Sequence, residues 1–348
     1  MRIGIGPRYS QDFLDTVEDL VAYEKAGADI VYVPEVYTFD AVSQLGYLAA
    51  KTERLELASG ILPIYTRTPS LLAMTAAGID HISGGRFTLG LGASGPQVVE
   101  GFHGVPYDAP LARTREIVDI CRQVWRRERV VHQGKHYQVP LPADRGTGLG
   151  KPLKLINHPV RDRIPVMIAS VGPRNVELTA EIAEAWQPFF FLPERARAVW
   201  GQALADGHLK RDPALPPLDV VVHPTLAITD DPTAAHEIVR ESVALYVGGM
   251  GARGRNFYND LARRYGYEAE ATLIQDLYLD GHKAEAAAAV PADLVDGISL
   301  IGPEGHVRER LAAMKEAGVT TVTITPVAGS RAERVRLVER FRVLADDV

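Results

Sequence analysis

The chain has 348 residues and only one cysteine, Cys121, so it cannot form an internal disulfide. That residue sits in the helix-like run Ile117-Val118-Asp119-Ile120-Cys121 and reads as a small buried hydrophobe. Charge of one sign is also lacking. The 38 basic and 44 acidic residues give a net charge of −6 with no long block of either, which excludes a nucleic-acid footprint and a polybasic membrane patch. Small molecules are therefore the expected partners, with homo-oligomer formation left open. No apolar run approaches the roughly 18 residues that cross a bilayer, and Met1-Arg2-Ile3-Gly4-Ile5-Gly6-Pro7 has no signal-peptide core. A cytoplasmic protein is expected. His81, His103, His132, His136 and His158 are scattered without the usual ligand spacing, which argues against a metal site.

What is present suits a large packed core: 46% hydrophobic and 24% charged residues, with a mean hydropathy of −0.04. Two distant segments, Tyr23 to Pro34 and Met314 to Pro326, share one grammar of helix end, glycine (Gly27, Gly318), β-branched run and proline. Both predict helix-to-strand units. Further strands are expected at about 2–6, 54–60, 86–92, 165–170, 186–191 and 219–228, most followed by helix-like stretches. Eight strands alternating with helices predict an α/β protein, a (β/α)8 TIM barrel rather than an open doubly wound sheet. No low-complexity linker divides the chain, so residues 1–348 are expected to form one domain. Two insertions interrupt it. About 127–164 contain a hairpin turning at Gln133-Gly134, and about 234–290 are helical around a glycine-rich loop, Gly248 to Asn256. Arg253 and Arg255 on that loop are candidates for an anion, the alternative being a solvated loop.

In such a barrel the chemistry lies just past the strands. The loops there are Pro34-Glu35-Val36-Tyr37, Ser59-Gly60-Ile61-Leu62-Pro63, Gly92-Ala93-Ser94-Gly95-Pro96 and Ser170-Val171-Gly172-Pro173-Arg174-Asn175. Three are built from glycine, serine and proline, which lets backbone N–H groups approach a phosphate-bearing cofactor. Gly172 before Pro173 at a helix start makes an anion site, with an ordinary helix entry as the competing reading. Gly90 to Gly95 fits a dinucleotide fingerprint only in part, and the loop lacks the glycines of a nucleophile elbow around Ser94. Glu35 is the one carboxylate at a strand end, a candidate acid/base, cofactor hydrogen-bond acceptor or rim salt bridge.

At these residues the chain resembles the luciferase-like family of flavin- and deazaflavin-dependent oxidoreductases. The likeness runs through Ala26-Gly27-Ala28-Asp29, Gly84-Gly85-Arg86-Phe87 leading into Leu89-Gly90-Leu91-Gly92, Ile164-Pro165-Val166 leading into Ala169-Ser170, and Ser299 to Val322. Ala244 to Gly254 and Phe257-Tyr258-Asn259-Asp260 are similar to an actinobacterial branch that uses coenzyme F420. The resemblance implies a barrel holding the F420 ring at the strand ends, or FMN as the alternative cofactor. It implies a non-proline cis bond at Gly60-Ile61, contacts from Gly92, Ala93, Ser94 and Gly95, and phosphate near Ser170, Val171, Gly172 and Pro173. The implied activity is hydride transfer with a small carbonyl, alcohol or enone substrate, with Glu35 as the candidate proton donor. An FMN-dependent monooxygenase and a non-catalytic ligand-binding barrel are the alternatives. Relatives that oxidise a sugar phosphate carry a histidine and a glutamate where this chain has Val36 and Gly95, which sets it apart from them.

Overall fold

The computed structural model describes residues 1–7 and 12–348. Eight parallel strands close into a barrel: β1 (Arg2–Ile5), β2 (Ile30–Val33), β3 (Glu56–Ser59), β4 (Phe87–Gly92), β5 (Val166–Ala169), β6 (Ala185–Gln187), β7 (Asp219–Val222) and β8 (Thr321–Pro326). Each pairs with the next, and β8 closes on β1 from Arg2↔Thr321 to Ile5↔Ile324. Strand periodicity then divides the side chains between two cores. Ile3, Ile5, Val31, Leu57, Leu89 and Ile168 face the surrounding helices, whereas Ile30, Tyr32, Ala58, Met167, Ala185 and Val221 form a separate inner cluster.

The expected strands are found, with two changes of extent. The run 219–228 is interrupted at His223-Pro224 because proline has no N–H for the ladder, although the Pro224 carbonyl still accepts from Thr325 at 3.3 Å. The chain then continues as Thr225–Ile228, which pairs with β8 and with an unforeseen short strand, Leu300–Gly302. The sixth strand stops at Gln187, four residues before the expected end, since Pro188 follows and Phe190 takes φ +46°. The hairpin pairs His132–Gln133 with Gln138–Val139, so its tip lies at 134–137, beyond the expected turn. The Glu116 carboxylate organises that tip by accepting from the N–H groups of Lys135, His136 and Tyr137 at 3.1, 3.2 and 2.8 Å. Five helices, Thr233–Ala244, Phe257–Arg264, Glu268–Leu279, Lys283–Ala288 and Ala292–Gly297, form the second insertion with a π-turn at Leu245–Gly249. Cys121 is fully buried, and burial pushes its thiol up to about 12. Among the described residues no helix is long and apolar enough to cross a membrane.

The barrel axis is polar at its N-terminal end. Arg2 pairs with Glu56 at 2.8 Å and approaches Asp219 at 4.0 Å, and Asp219 also accepts from Thr321 at 2.9 Å. Above this plug the interior is narrow. A side chain at Gly4 would run into the Thr323 hydroxyl and approach Tyr32 within 3.0 Å, and one at Gly90 would overlap the Ser59 carbonyl and reach Met167 at 2.9 Å. Backbone cannot yield as a flexible side chain does. Gly90→Ala should therefore cost about 3 kcal/mol or more, at the upper end for overpacking, whereas Gly78→Ala on an open helix face should not destabilise. Urea midpoints of the two variants check this.

Candidate active site at the barrel mouth

One extra residue in β3 shapes the mouth. Pairing with β4 runs through Ala58↔Thr88 and resumes at Leu62↔Leu91, so four steps on one strand face three on the other, which makes a β-bulge. The bulge would leave Gly90 without backbone partners. Ser59 supplies them: its hydroxyl donates to the Gly90 carbonyl and accepts from the Gly90 N–H, both at 2.8 Å and fully buried. Gly60-Ile61, within the bulge, is cis. Ile61 packs towards Gly92, where an added Cβ would come within 2.8 Å of its side chain. Gly60, Ile61, Gly92 and Ala93 are thus brought together as an apolar ledge. Ser94 turns the chain away at φ +58°, and Gly95 caps the short helix Pro96–Gly101.

The neighbouring loop after β5 is built to expose N–H groups. Gly172 is the N-cap of the helix Pro173–Ile182 but has no side chain to cap it, unlike Thr68 before Pro69–Ile82. The N–H groups of Val171, Gly172 and Arg174 have no acceptor among the described residues. Gly172 has φ −73°, so its backbone is unstrained, and an added side chain meets nothing within 4 Å. Local conformation therefore does not demand glycine here. Two indoles fix the loop, Trp186 donating to the Ser170 carbonyl at 3.0 Å and Trp200 to that of Val171 at 2.9 Å. The Ser170 hydroxyl is turned inward onto Thr179 at 2.9 Å, so Ser170 underpins the loop. Arg264 also donates to Val171 at 3.0 Å, and the exposed Arg174 has no carboxylate partner among the described residues. Sequence reasoning passed over both guanidiniums. Arg253, which it singled out, pairs with Asp276 and Asp280 at 2.8 and 3.3 Å, and Gly248 and Gly249 earlier in the same loop make room for Tyr278.

Glu35 lies in the salt-bridge role of its three readings. Both carboxylate oxygens meet Arg67, at 2.5 and 2.9 Å, and one also accepts from the Ala41 N–H at 2.9 Å. The pair is largely buried, which leaves no oxygen turned to a ligand without a partner already in place.

The inward positions at the mouth follow from alternation above the inner cluster. Gly92 and Ala169, on the neighbouring strands β4 and β5, leave one side open, and Gln187, His223 and Thr325, towards β6, β7 and β8, make the other side polar, with Gly6 of the β1 end beside Thr325. His223 is solvent-exposed yet walled by protein, and burial lowers its imidazole to about 4. Its ring meets Tyr32 edge-on at 5.5 Å. Over the mouth, Phe189 packs on Tyr246 and Tyr258 at 4.5 and 4.9 Å, and burial raises both phenols. Tyr37 and Tyr107, from the loops after β2 and β4, stand close to this pair. Inward alternation along 219–223 was the available signal for His223. Nothing local marks Tyr246 and Tyr258 as partners of Phe189.

Residues 1–321 match the family model described as luciferase-like monooxygenase. The chain is 42% identical over 341 residues, 97% of each protein, to a Mycobacterium tuberculosis protein described provisionally as a coenzyme F420-dependent oxidoreductase. Its fold is similar to that of the F420-dependent tetrahydromethanopterin reductase from Methanopyrus kandleri, with a TM-score of 0.81 at 20% identity over 97% of both chains. An F420-dependent secondary alcohol dehydrogenase holding an F420-acetone adduct has a TM-score of 0.74 at 16% identity, covering 99% of this chain and 98% of that one.

Arg67→Met should strand a buried carboxylate and destabilise the fold by about 3 kcal/mol, and adding Glu35→Gln should recover part of that loss. Denaturant unfolding of both single variants and the double variant checks it, with a coupling of about 1–3 kcal/mol expected.

Proposed function

The chain belongs to the luciferase-like monooxygenase family, and on that premise we propose that it is a coenzyme F420-dependent oxidoreductase passing a hydride between the deazaflavin and a small carbonyl, alcohol or enone. The observation that carries this reading is the mouth itself. Side chains are withdrawn at Gly92 and Ala169 beside the Ile61 ledge, and the adjoining helix start presents N–H groups with no acceptor among the described residues. A flat ring with a phosphate tail fits that pairing of an apolar slot and an anion site.

In this reading Gly60, Ile61, Gly92 and Ala93 hold the ring, and Ser94 and Gly95 turn the backbone along its edge. Val171, Gly172 and Pro173 border the phosphate, Ser170 keeps their loop in place, and Arg174 adds positive charge. When bound, the deazaflavin supplies a carbon that gives or receives hydride. The protein positions the reactants and keeps water out: Phe189, Tyr246 and Tyr258 form an apolar wall over the mouth, and Glu35 with Arg67 braces the loop after β2.

Equilibrium titration of the purified protein with F420 and FMN tests the cofactor, with F420 expected to bind more tightly. FMN tighter by about tenfold, or about 1.4 kcal/mol, overturns the assignment. Gly172→Val tests the phosphate placement cleanly, since neither strain nor a clash attends it. It should fold like the parent and lose at least about tenfold in F420 affinity, on the order of one charge-assisted contact. Gly78→Val, equally unhindered on an outer helix face, serves as the control.

A further inference from the structure

β7 carries three polarities up the barrel axis on alternate residues. Asp219 lies in the ionic plug, Val221 in the inner cluster and His223 at the mouth. Pro224 ends regular pairing immediately after His223, which leaves the imidazole at the boundary between packed interior and open cleft. Neither ring nitrogen has a hydrogen-bond partner among the described residues, although the ring itself is seated against Tyr32.

We propose that His223 is the acid–base residue of this mouth, taking the hydroxyl proton of a small apolar alcohol as its hydride departs, and returning a proton to oxygen in the reverse direction. The proposal rests on the oxidoreductase reading above. In the forward step the carbinol C–H bond breaks and hydride, with both electrons, passes to the deazaflavin. The O–H bond breaks towards an imidazole nitrogen, the C–O bond becomes C=O, and the imidazolium then releases its proton to water. Atoms and charge balance without another reagent.

The surroundings suit that role better than those of Glu35. Among the described residues of the elements around β7 the facing groups are Gln187, Thr323, Thr325 and Tyr32, of which the phenol alone ionises, and burial drives that ionisation upward. Asp219 lies two alternations below, held by Arg2 and Thr321. No charged group among the described residues couples to His223, and crowding of the ring by the surrounding protein favours its neutral form, the state a base requires. An anionic cofactor beside it would raise its affinity for a proton towards the working range. The wall of Phe189, Tyr246 and Tyr258 carries no charge and favours an uncharged substrate body over a charged acid.

Carbethoxylation of the protein by diethyl pyrocarbonate, mapped by mass spectrometry over its ten histidines, reads the placement without any substrate. Reaction at His223 should be nearly constant between about pH 5.5 and 8, while ordinary exposed histidines slow as they protonate. Saturating F420 should slow it at least tenfold. Labelling unaffected by F420, in protein shown by titration to bind it, removes His223 from the site and overturns the proposal. Failure of that titration instead overturns the cofactor reading on which it rests.

Cyclohexanol with F420 then tests the chemistry. His223→Gln should keep F420 affinity within about twofold and lose about 100-fold or more in kcat, and His223→Ala should be rescued by added imidazole. Parental turnover in the variants, or a parent that binds F420 and oxidises neither cyclohexanol nor 2-propanol, overturns the assignment.

Discussion

Ser59 performs at the heart of the barrel what a backbone peptide would do elsewhere. A bulge in β3 separates its ladder from β4 at one point, and without a substitute the N–H and carbonyl of Gly90 would both be buried unpaired, a cost of about 1–3 kcal/mol for each group. The single hydroxyl at 2.8 Å from both removes that cost. The ledge exists only because this exchange lets β3 leave the barrel surface and rejoin it one residue later. Gly90 and Gly92 are the complementary requirement, since any Cβ there would collide with Ser59 or Ile61. Packing of the barrel and the shape of the mouth are therefore the same constraint.

The axis then sorts chemistry by height. At the N-terminal end charges neutralise one another around Arg2, Glu56 and Asp219. In the middle Tyr32, Met167 and Val221 fill the interior. At the top the filling stops on the side of β4 and β5, where Gly92 and Ala169 stand, and among the described residues polar groups line the side of β6, β7 and β8. A ligand entering from above meets a half-apolar and half-polar floor, which orients it before any loop moves. The parallel barrel allows this because every strand presents its C-terminal end to the same opening.

How much of this was legible depends on whether the cause was local. β-branched runs beside Gly27 and Gly318 carried their own signal, so the eight strands could be placed. The Gly172-Pro173 helix start was likewise readable, because N–H groups at a helix terminus are a property of a few adjacent residues. The Gly60-Ile61 cis bond came through family resemblance and not from spacing. Glu35 was ambiguous because Arg67 stands 32 residues further along the chain. Arg253 looked free for the same reason, with Asp276 and Asp280 on a later helix. His223 was hidden differently: a run read as one apolar strand masked the inward alternation Asp219, Val221, His223, and Pro224 gave its end away only in the folded ladder.

The second insertion joins the two halves of the site through one residue of ordinary type. Asn256 is almost fully buried and caps the helix Phe257–Arg264 by accepting from the N–H groups of Tyr258 and Asn259 at 2.9 and 3.1 Å. Its amide nitrogen donates to the carbonyls of Tyr246 and Val247 at 2.9 and 3.1 Å, so the same side chain fastens the π-turn that carries Tyr246. The capped helix bears Tyr258 near its start and Arg264 at its end, and Arg264 reaches the Val171 carbonyl. The aromatic wall and the anion loop consequently hang on one short rigid helix. A change in how the insertion packs cannot reshape the substrate side of the mouth without shifting the loop that presents N–H groups on the other, which ties substrate selection to cofactor seating in this fold.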